Sequence, residues 1–565
     1  METMYDSVPM RIFIALFLII LALTVLALAQ DPCAGTRDLK LTNGKIHTLD
    51  KKDTIVSEVT IQNGKFTAIG PAANQRAERK RDSAQPQSLS PCTKTINLRG
   101  RTVVPGLIDN HNHIVLLGMR PGHDIRIETA ASIADIQSIL KDKAKTVQPG
   151  EFITTLGDWN MKQFAEKRVP TLAELDQALP AHPYLMNGGG GTVTNSLGKK
   201  FFESKGIAVT STGVIANADF LKALNALRAI QTFDDMKRGT TDAINYVLGF
   251  GLTTNVDMGA FNLPGTPDLQ DSAVADTVES LNQWTMYDAF LALHREGKVN
   301  TRLRIFFLTQ DTRPDVPILK QRLMNTFPNF GDDMIRTAGI GEFATQWGLR
   351  GGGSPPNYQA ALQLIAKQGW AFQQHTLSLA EDQFATSTFE KVNTETPIRD
   401  LRWSLAHVPR IDRPTIDRLK AMGAGIAVHA WLYLSGSPGN GGPPYRTILD
   451  SGIHVGAGSD AAAVSVFDPW LEIYYMVTGK NSAGELINDG QQLTRMEALR
   501  LYTSENGWFL KEEDKLGTIE TGKFGDLVVL SDDYFDTTKV PDEGLKKLKS
   551  VLTVVDGKVV HDTTK

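Results

Sequence analysis

The chain has 565 residues, 41% hydrophobic and 22% charged, with 59 basic against 63 acidic side chains and a formal net charge of −4. That balance excludes a disordered chain, and it lacks both the basic footprint of a nucleic-acid binder and a polybasic membrane patch. With only two cysteines, Cys33 and Cys92, a disulfide-built scaffold, a cysteine-rich zinc module and an iron–sulfur protein are excluded, so a metal would need nitrogen and oxygen ligands.

At the N-terminus Arg11 precedes an apolar run from Ile12 to Leu26, and Ala27-Leu28-Ala29 follows as a small-x-small sequence. This predicts a signal peptide over 1–29 and an exported protein, periplasmic or secreted. The alternative is an uncleaved membrane anchor, because Ile12–Ala29 approaches the roughly 20 residues that span a bilayer. Export permits a Cys33–Cys92 disulfide, with two unpaired thiols as the other reading. No Asn-x-Ser/Thr sequon occurs.

Next come short β-like runs. Leu39–Thr42 leads into Asn43-Gly44 and Val59–Gln62 into Asn63-Gly64, both hairpin signals. Residues 72–91 are polar and read as a surface loop, and Thr95–Val104 resumes strand character. At the other end Asp526–Leu530, Val551–Val555 and a turn at Asp556-Gly557 before Lys558–Val560 repeat the pattern. These ends, 34–104 and 511–565, are expected to pair as one small β-sandwich.

The middle, 105–510, alternates candidate strands with helical stretches. The strands are Thr102–Asp109, Leu252–Asp257, Leu303–Leu308, Met334–Ile340, Trp370–His375, Arg402–His407, Gly425–His429 and Ile453–Asp460. The helices are Asp234–Leu248, Leu281–Glu296, Tyr358–Lys367, Leu379–Val392 and Thr415–Met422. This is an α/β chain, a (β/α)8 TIM barrel, with an insertion after its first strand over 118–233 that would cover the mouth. An open doubly wound sheet would carry a glycine-rich nucleotide turn after its first strand, and none is there. The glycines 188–191 and 351–353 lack the Lys-Ser/Thr of a P-loop and read as plain loops.

The chemistry begins at Pro105-Gly-Leu-Ile-Asp109-Asn-His111-Asn-His113. Residues i and i+2 of a strand share a face, so His111 and His113 project together at the end where barrel sites form. His375, His407 and Asp460 each close a later apolar run, and His429 closes the seventh. His454 begins strand eight and belongs at the opposite end. His47, His123, His182, His294 and His561 fit surface or insertion positions.

These residues resemble the metal-dependent amidohydrolase superfamily, within it the amidohydrolase-3 (YtcJ-like) branch. The carriers are residues 105–113, Gly157-Asp-Trp-Asn160, His182-Pro183, Asn195-Ser196, His375, Ser404–His407, Gly458–Asp460, Asp468-Pro-Trp470 and Lys515–Leu530. The resemblance implies metal ligands at His111, His113, His375, His407 and Asp460. A further ligand comes from strand four in the family; no lysine lies in 334–342, so Glu342 is the candidate. It implies one or two divalent ions, zinc first, with manganese, iron or nickel as alternatives. The implied reaction is hydrolysis of a non-peptide C–N bond in a small amide, cyclic imide or N-substituted formamide. Metal-activated hydroxide attacks, Asp460 serves as general base and acid, and His407 helps to polarise the carbonyl. Trp159 and Asn160 in the insertion, and His429, are the expected substrate contacts, with Trp159 alternatively a core aromatic. Other readings are an esterase, a deaminase, an isomerase or an inactive exported binding protein. A homo-oligomer is compatible with the sequence; membrane contact requires the uncleaved anchor.

Overall fold

The computed structural model of the chain describes residues 33–70, 89–259, 285–309, 311, 315–345, 355–462 and 464–564. The apolar run at 12–26, most of the 72–91 stretch, the start of the helix expected from Leu281 and the glycines 351–353 lie outside them.

Eight strands form one sheet with every hydrogen-bonded neighbour parallel. In order they are Leu107–Asn112, Leu252–Asp257, Arg302–Phe307, Ile335–Glu342, Ala371–Thr376, Ser404–His407, Gly425–His429 and His454–Gly458, barrel strands one to eight. Strand alternation sorts the residues. On strand three Leu303 and Ile305 join the apolar layer beneath the outer helices, and Arg302 and Arg304 face the barrel interior. There Arg302 meets Asp526 at 2.7 Å and Arg304 meets Glu512 at 2.6 Å, so ion pairs to the C-terminal segment seal the floor. Strands eight and one are joined at their tips. The Asp460 N–H donates to His111 O at 2.8 Å and the His113 N–H to Ala461 O at 2.5 Å.

Two further sheets contain both chain ends. One has four strands (Lys65–Ile69, Val59–Gln62, Leu39–Thr42, Lys94–Asn97). The other runs Lys558–Asp562, Ser550–Val555, Leu527–Leu530, Thr102–Pro105, Lys45–His47, Ile55–Val56. Leu41, Ile61, Phe66, Val103, Leu527 and Val554 share one core between them, which makes the sandwich. A disulfide joins Cys33 to Cys92.

Two sequence expectations change here. Thr102–Asp109 is not one strand: Thr102–Pro105 belongs to the sandwich and Leu107–Asn112 to the barrel. The switch falls at Gly106, where a β-carbon would stand 2.2 Å from Thr253 Oγ1. Asn43-Gly44 connects two different sheets and is no hairpin. The other two turns are hairpins, pairing Gln62 with Lys65 and Val555 with Lys558. Their turn residues have φ of 51° and 77°, and 53° and 71°, as a type I′ turn demands.

Between strands one and two lies a five-stranded sheet, in order Val214–Ile215, Gly191–Thr194, Tyr184–Gly189, Ile153–Asn160, His123–Asp124. It has its own apolar clusters, one around Trp159 and Leu175 and another around Phe202 and Leu224. Asn195 ties it together: its Oδ1 accepts the N–H of Tyr184 and of Gly198, and its Nδ2 donates to Leu179 O and His182 O. The strand Ile153–Asn160 packs against the helix Leu432–Ser435 that follows barrel strand seven. The insertion therefore leans on the C-terminal side of the barrel.

Candidate metal centre

The strand ends bring four imidazoles and two carboxylates together. Two groups of donors each lie within 4.8 Å: His111, His113, Glu342 and Asp460, and Glu342, His375 and His407. All are buried. Strand one supplies the first pair, strand four Glu342, strands five and six the other two histidines, and the turn after strand eight Asp460.

Hydrogen bonds outside the cluster set the tautomers. His113 Nδ1 lies 2.6 Å from Gly259 O, and His111 Nδ1 contacts Gln373 Oε1. A nitrogen facing a carbonyl oxygen must carry the proton, so when either ring is neutral its Nε2 is the nitrogen that faces the centre as an acceptor. His113 Nε2 stands 3.4 Å from Asp460 Oδ1 and 3.6 Å from Glu342 Oε1; His111 Nε2 stands 3.5 Å and 3.7 Å from Asp460 and Glu342 oxygens. Ligands about 2.1 Å from a tetrahedral ion lie ~3.4 Å apart, so these separations fit a divalent cation. Glu342 Oε2 lies 2.5 Å from His375 Nδ1 and 3.0 Å from His407 Nε2. His111 Nε2, Glu342 Oε1, His375 Nε2 and His407 Nδ1 are buried without a hydrogen-bond partner among the described residues, as atoms meant for a metal would be.

The electrostatics point the same way. Burial opposes ionisation of Asp460 and Glu342, yet the surrounding imidazoles hold both carboxyls far below their usual range. Burial likewise opposes charge on His113, but Asp460, Glu342 and Asp257 raise it to about 9. The pocket draws positive charge. Nitrogen and carboxylate donors suit zinc, manganese, iron or nickel. The backbone is strained here: His407 and Asp460 have φ of 71° and 57°, in the region L-residues avoid.

Asp109 braces the centre from below. Its Oδ1 accepts the N–H of His111 at 3.1 Å and of Ser459 at 3.0 Å, and its Oδ2 accepts Ser459 Oγ at 2.6 Å. Asp257, at the end of strand two, accepts the N–H of Val115 and Gly259 and the Tyr287 hydroxyl. The sequence reading missed Gln373 and Asp257 as site residues. Gln373 stands two residues before His375 on the same face, and Asp257 is the carboxylate that ends a barrel strand.

Of the expected substrate contacts, His429 is in the site. It is buried, its ring centroid is 4.4 Å from His111 and 4.5 Å from His407, and its Nδ1 accepts the His407 N–H at 3.1 Å. Burial, then His111 and His407, push its pKa well below the ordinary value. Trp159 and Asn160 make their contacts within the insertion, and for Trp159 this is the second of the two expected roles. The Trp159 indole stacks on Phe164 at 5.8 Å and donates to Asn187 O, so it is a core aromatic of the insertion. The Asn160 side chain caps the short helix Met161–Gln163. His454 stacks on Trp508 away from the cluster, as expected. His47 is no surface residue: it is buried and stacks on Phe535 at 3.8 Å.

A barrel with this cluster at its C-terminal end is the architecture of a metal-dependent hydrolase. The chain belongs to the amidohydrolase family, whose pattern matches residues 94–561. It is 22% identical to the N-substituted formamide deformylase of Arthrobacter pascens, over 94% of this chain and 99% of that one. Its fold matches that of an uncharacterized metal-dependent hydrolase from Pyrococcus furiosus, with a TM-score of 0.56 at 19% identity, covering 88% of this chain and 100% of that one. An atrazine chlorohydrolase from Arthrobacter aurescens complexed with zinc matches at a TM-score of 0.53 and 16% identity, covering 93% and 95%.

Proposed function

We propose that the chain hydrolyses a non-peptide C–N bond of a small molecule: an amide, a cyclic imide or an N-substituted formamide. The observation that carries this reading is the buried four-imidazole, two-carboxylate cluster in a member of the amidohydrolase family. The near full-length likeness to a formamide deformylase favours the formamide class. His111, His113, Glu342 and Asp460 would hold one ion, and Glu342, His375 and His407 would take a second. A divalent metal, zinc by preference, would supply a nucleophile at neutral pH and polarise the carbonyl.

The chain's own groups do the rest. Asp460 is ionised and is the most open member of the first group, with a side chain 10% exposed against 0–3% for the other three. It takes a proton from the attacking water and returns it to the leaving nitrogen, so water and amide become acid and amine. His407, whose Nδ1 is 3.5 Å from Asp460 Oδ2, steadies that carboxylate. The insertion, resting on the helix Leu432–Ser435 after strand seven, keeps bulk water from the mouth. The same proposal places the enzyme outside the cytoplasm, where a Cys33–Cys92 disulfide persists.

The test is metal analysis of the purified protein, followed by a panel of formamides, amides, imides and esters. Near-stoichiometric metal and metal-dependent cleavage of the C–N substrates is expected. Asp460→Asn should lower kcat by about 100- to 10,000-fold. Preferred ester cleavage, or no bound metal, would overturn the reading.

A further inference from the structure

His429 belongs to neither donor group, yet it sits against both. Its ring lies beside His111 and His407 and is fully buried at the end of strand seven. The His407 N–H donates to His429 Nδ1 at 3.1 Å, so that nitrogen carries no proton. In a neutral imidazole the proton must then sit on Nε2. This Nε2 is buried and has no hydrogen-bond partner among the described residues. Leaving a buried N–H unsatisfied is destabilising, so the position favours an acceptor. The other partnerless nitrogens of the cluster, on His111, His375 and His407, belong to the metal-donor groups. The His429 nitrogen has no such use.

We infer that His429 is a fixed hydrogen-bond donor to the carbonyl oxygen of the bound substrate, the oxygen that gains negative charge as water attacks. The inference rests on the hydrolase reading above and adds a catalytic residue to it. A donor aimed at a developing oxyanion needs no reorganisation when the charge appears. The backbone of His407 holds the tautomer, and the flanking rings hold the plane. A carbonyl oxygen is an acceptor that satisfies the N–H; an apolar group in its place would leave it stranded. The residue thus selects for substrates that present an sp² oxygen at that point.

Two measurements test it. Nitrogen NMR of histidine-labelled protein, with zinc and without, should show His429 Nε2 as the protonated, pyrrole-type nitrogen. A pyridine-type Nε2 in both states would overturn the inference without any activity assay. Then His429→Phe keeps a flat ring beside His111 and His407 and deletes the donor. With p-nitroformanilide as probe, kcat should fall about 100-fold, with KM changing much less and zinc content unchanged. His429→Gln, which returns an amide N–H near the Nε2 position, should recover about a tenth of the lost rate or more. Full kcat in His429→Phe, or zinc lost in step with kcat in both variants, would refute a donor role and leave only a positioning one. No metal-dependent turnover by the wild-type enzyme on any substrate would instead sink the hydrolase reading itself.

Discussion

A single methyl group added at Gly458 should disable the centre without touching a metal donor. Gly458 ends strand eight, and a β-carbon there would stand 2.5 Å from His111 N, 2.7 Å from Asn110 Oδ1 and 2.7 Å from Asp109 Oδ1. One of these atoms is backbone, so rotamer changes cannot relieve the clash. Restoring ordinary contact at ~3.4 Å requires strands eight and one to part by ~0.9 Å. The same two tips carry Asp460 and His111, whose side chains face each other at 3.5 Å. A displacement near 1 Å costs about 100-fold in rate, and overpacking costs about 1–3 kcal/mol of stability. Gly458→Ala should therefore keep its fold, melt a few degrees lower, bind zinc more weakly in chelator competition and lose about 100-fold in kcat. Wild-type zinc affinity and turnover in a folded Gly458→Ala protein would refute the claim that the strand eight–strand one contact sets the site.

Other expectations are simpler. Glu342→Gln removes the one carboxylate shared by both donor groups, so zinc affinity, read by chelator titration, should fall at least about tenfold. The buried Asp382 carboxyl is raised to about 7, by burial first and then by Glu381 and Asp412. The folded state then holds a proton the unfolded state releases near 3.9, so stability falls as pH rises from about 4 to about 7; Asp382→Asn should flatten Tm against pH in that window, and an unchanged slope would count against it. Reducing the Cys33–Cys92 bond, with a sequence separation of 59, should cost up to about 4 kcal/mol of stability; kcat at 25 °C should hold, and a loss of activity without a lower Tm would contradict its purely structural role.

The barrel is legible where the chain punctuates its own strands. Gly425–His429 occurs as expected because it is an apolar run closed by a polar side chain, and Leu252–Asp257 because its β-branched residues follow a glycine turn and end on a carboxylate. Thr102–Asp109 is not so marked: the run is apolar on both sides of Gly106, and nothing local says that one half pairs with Leu527–Leu530 and the other with strand two. The Asn43-Gly44 turn fails for the same reason, since turn chemistry reports a reversal and not its partner strand. Trp159 shows a third limit. An indole in a motif looks the same whether it meets substrate or core, and Phe164 and the Asn187 carbonyl decide it. Glu342 is reached only through the family resemblance, which expects a ligand where strand four ends; the structure brings that carboxylate into the cluster.

Glu342 also explains how the two halves of the centre act together. Its Oε1 faces His113, and its Oε2 faces His375, His407 and His111. Asp460 repeats the arrangement from the other side, with Oδ1 toward His111 and His113 and Oδ2 toward His407. Each carboxylate thus spans the histidines of strand one and those of the later strands. Two negative groups among four rings favour the cationic state of the pocket, and the raised His113 is the protein's response when protons alone supply that charge. Divalent ions in the two donor groups would supply it better, because they would also engage buried nitrogens of His111 and His407 that have no hydrogen-bond partner among the described residues. Metal and protons would therefore compete for the same donors. A chelator titration across pH should show the metal held more weakly as pH falls, because a proton on His113 opposes it while the rings keep both carboxyls ionised.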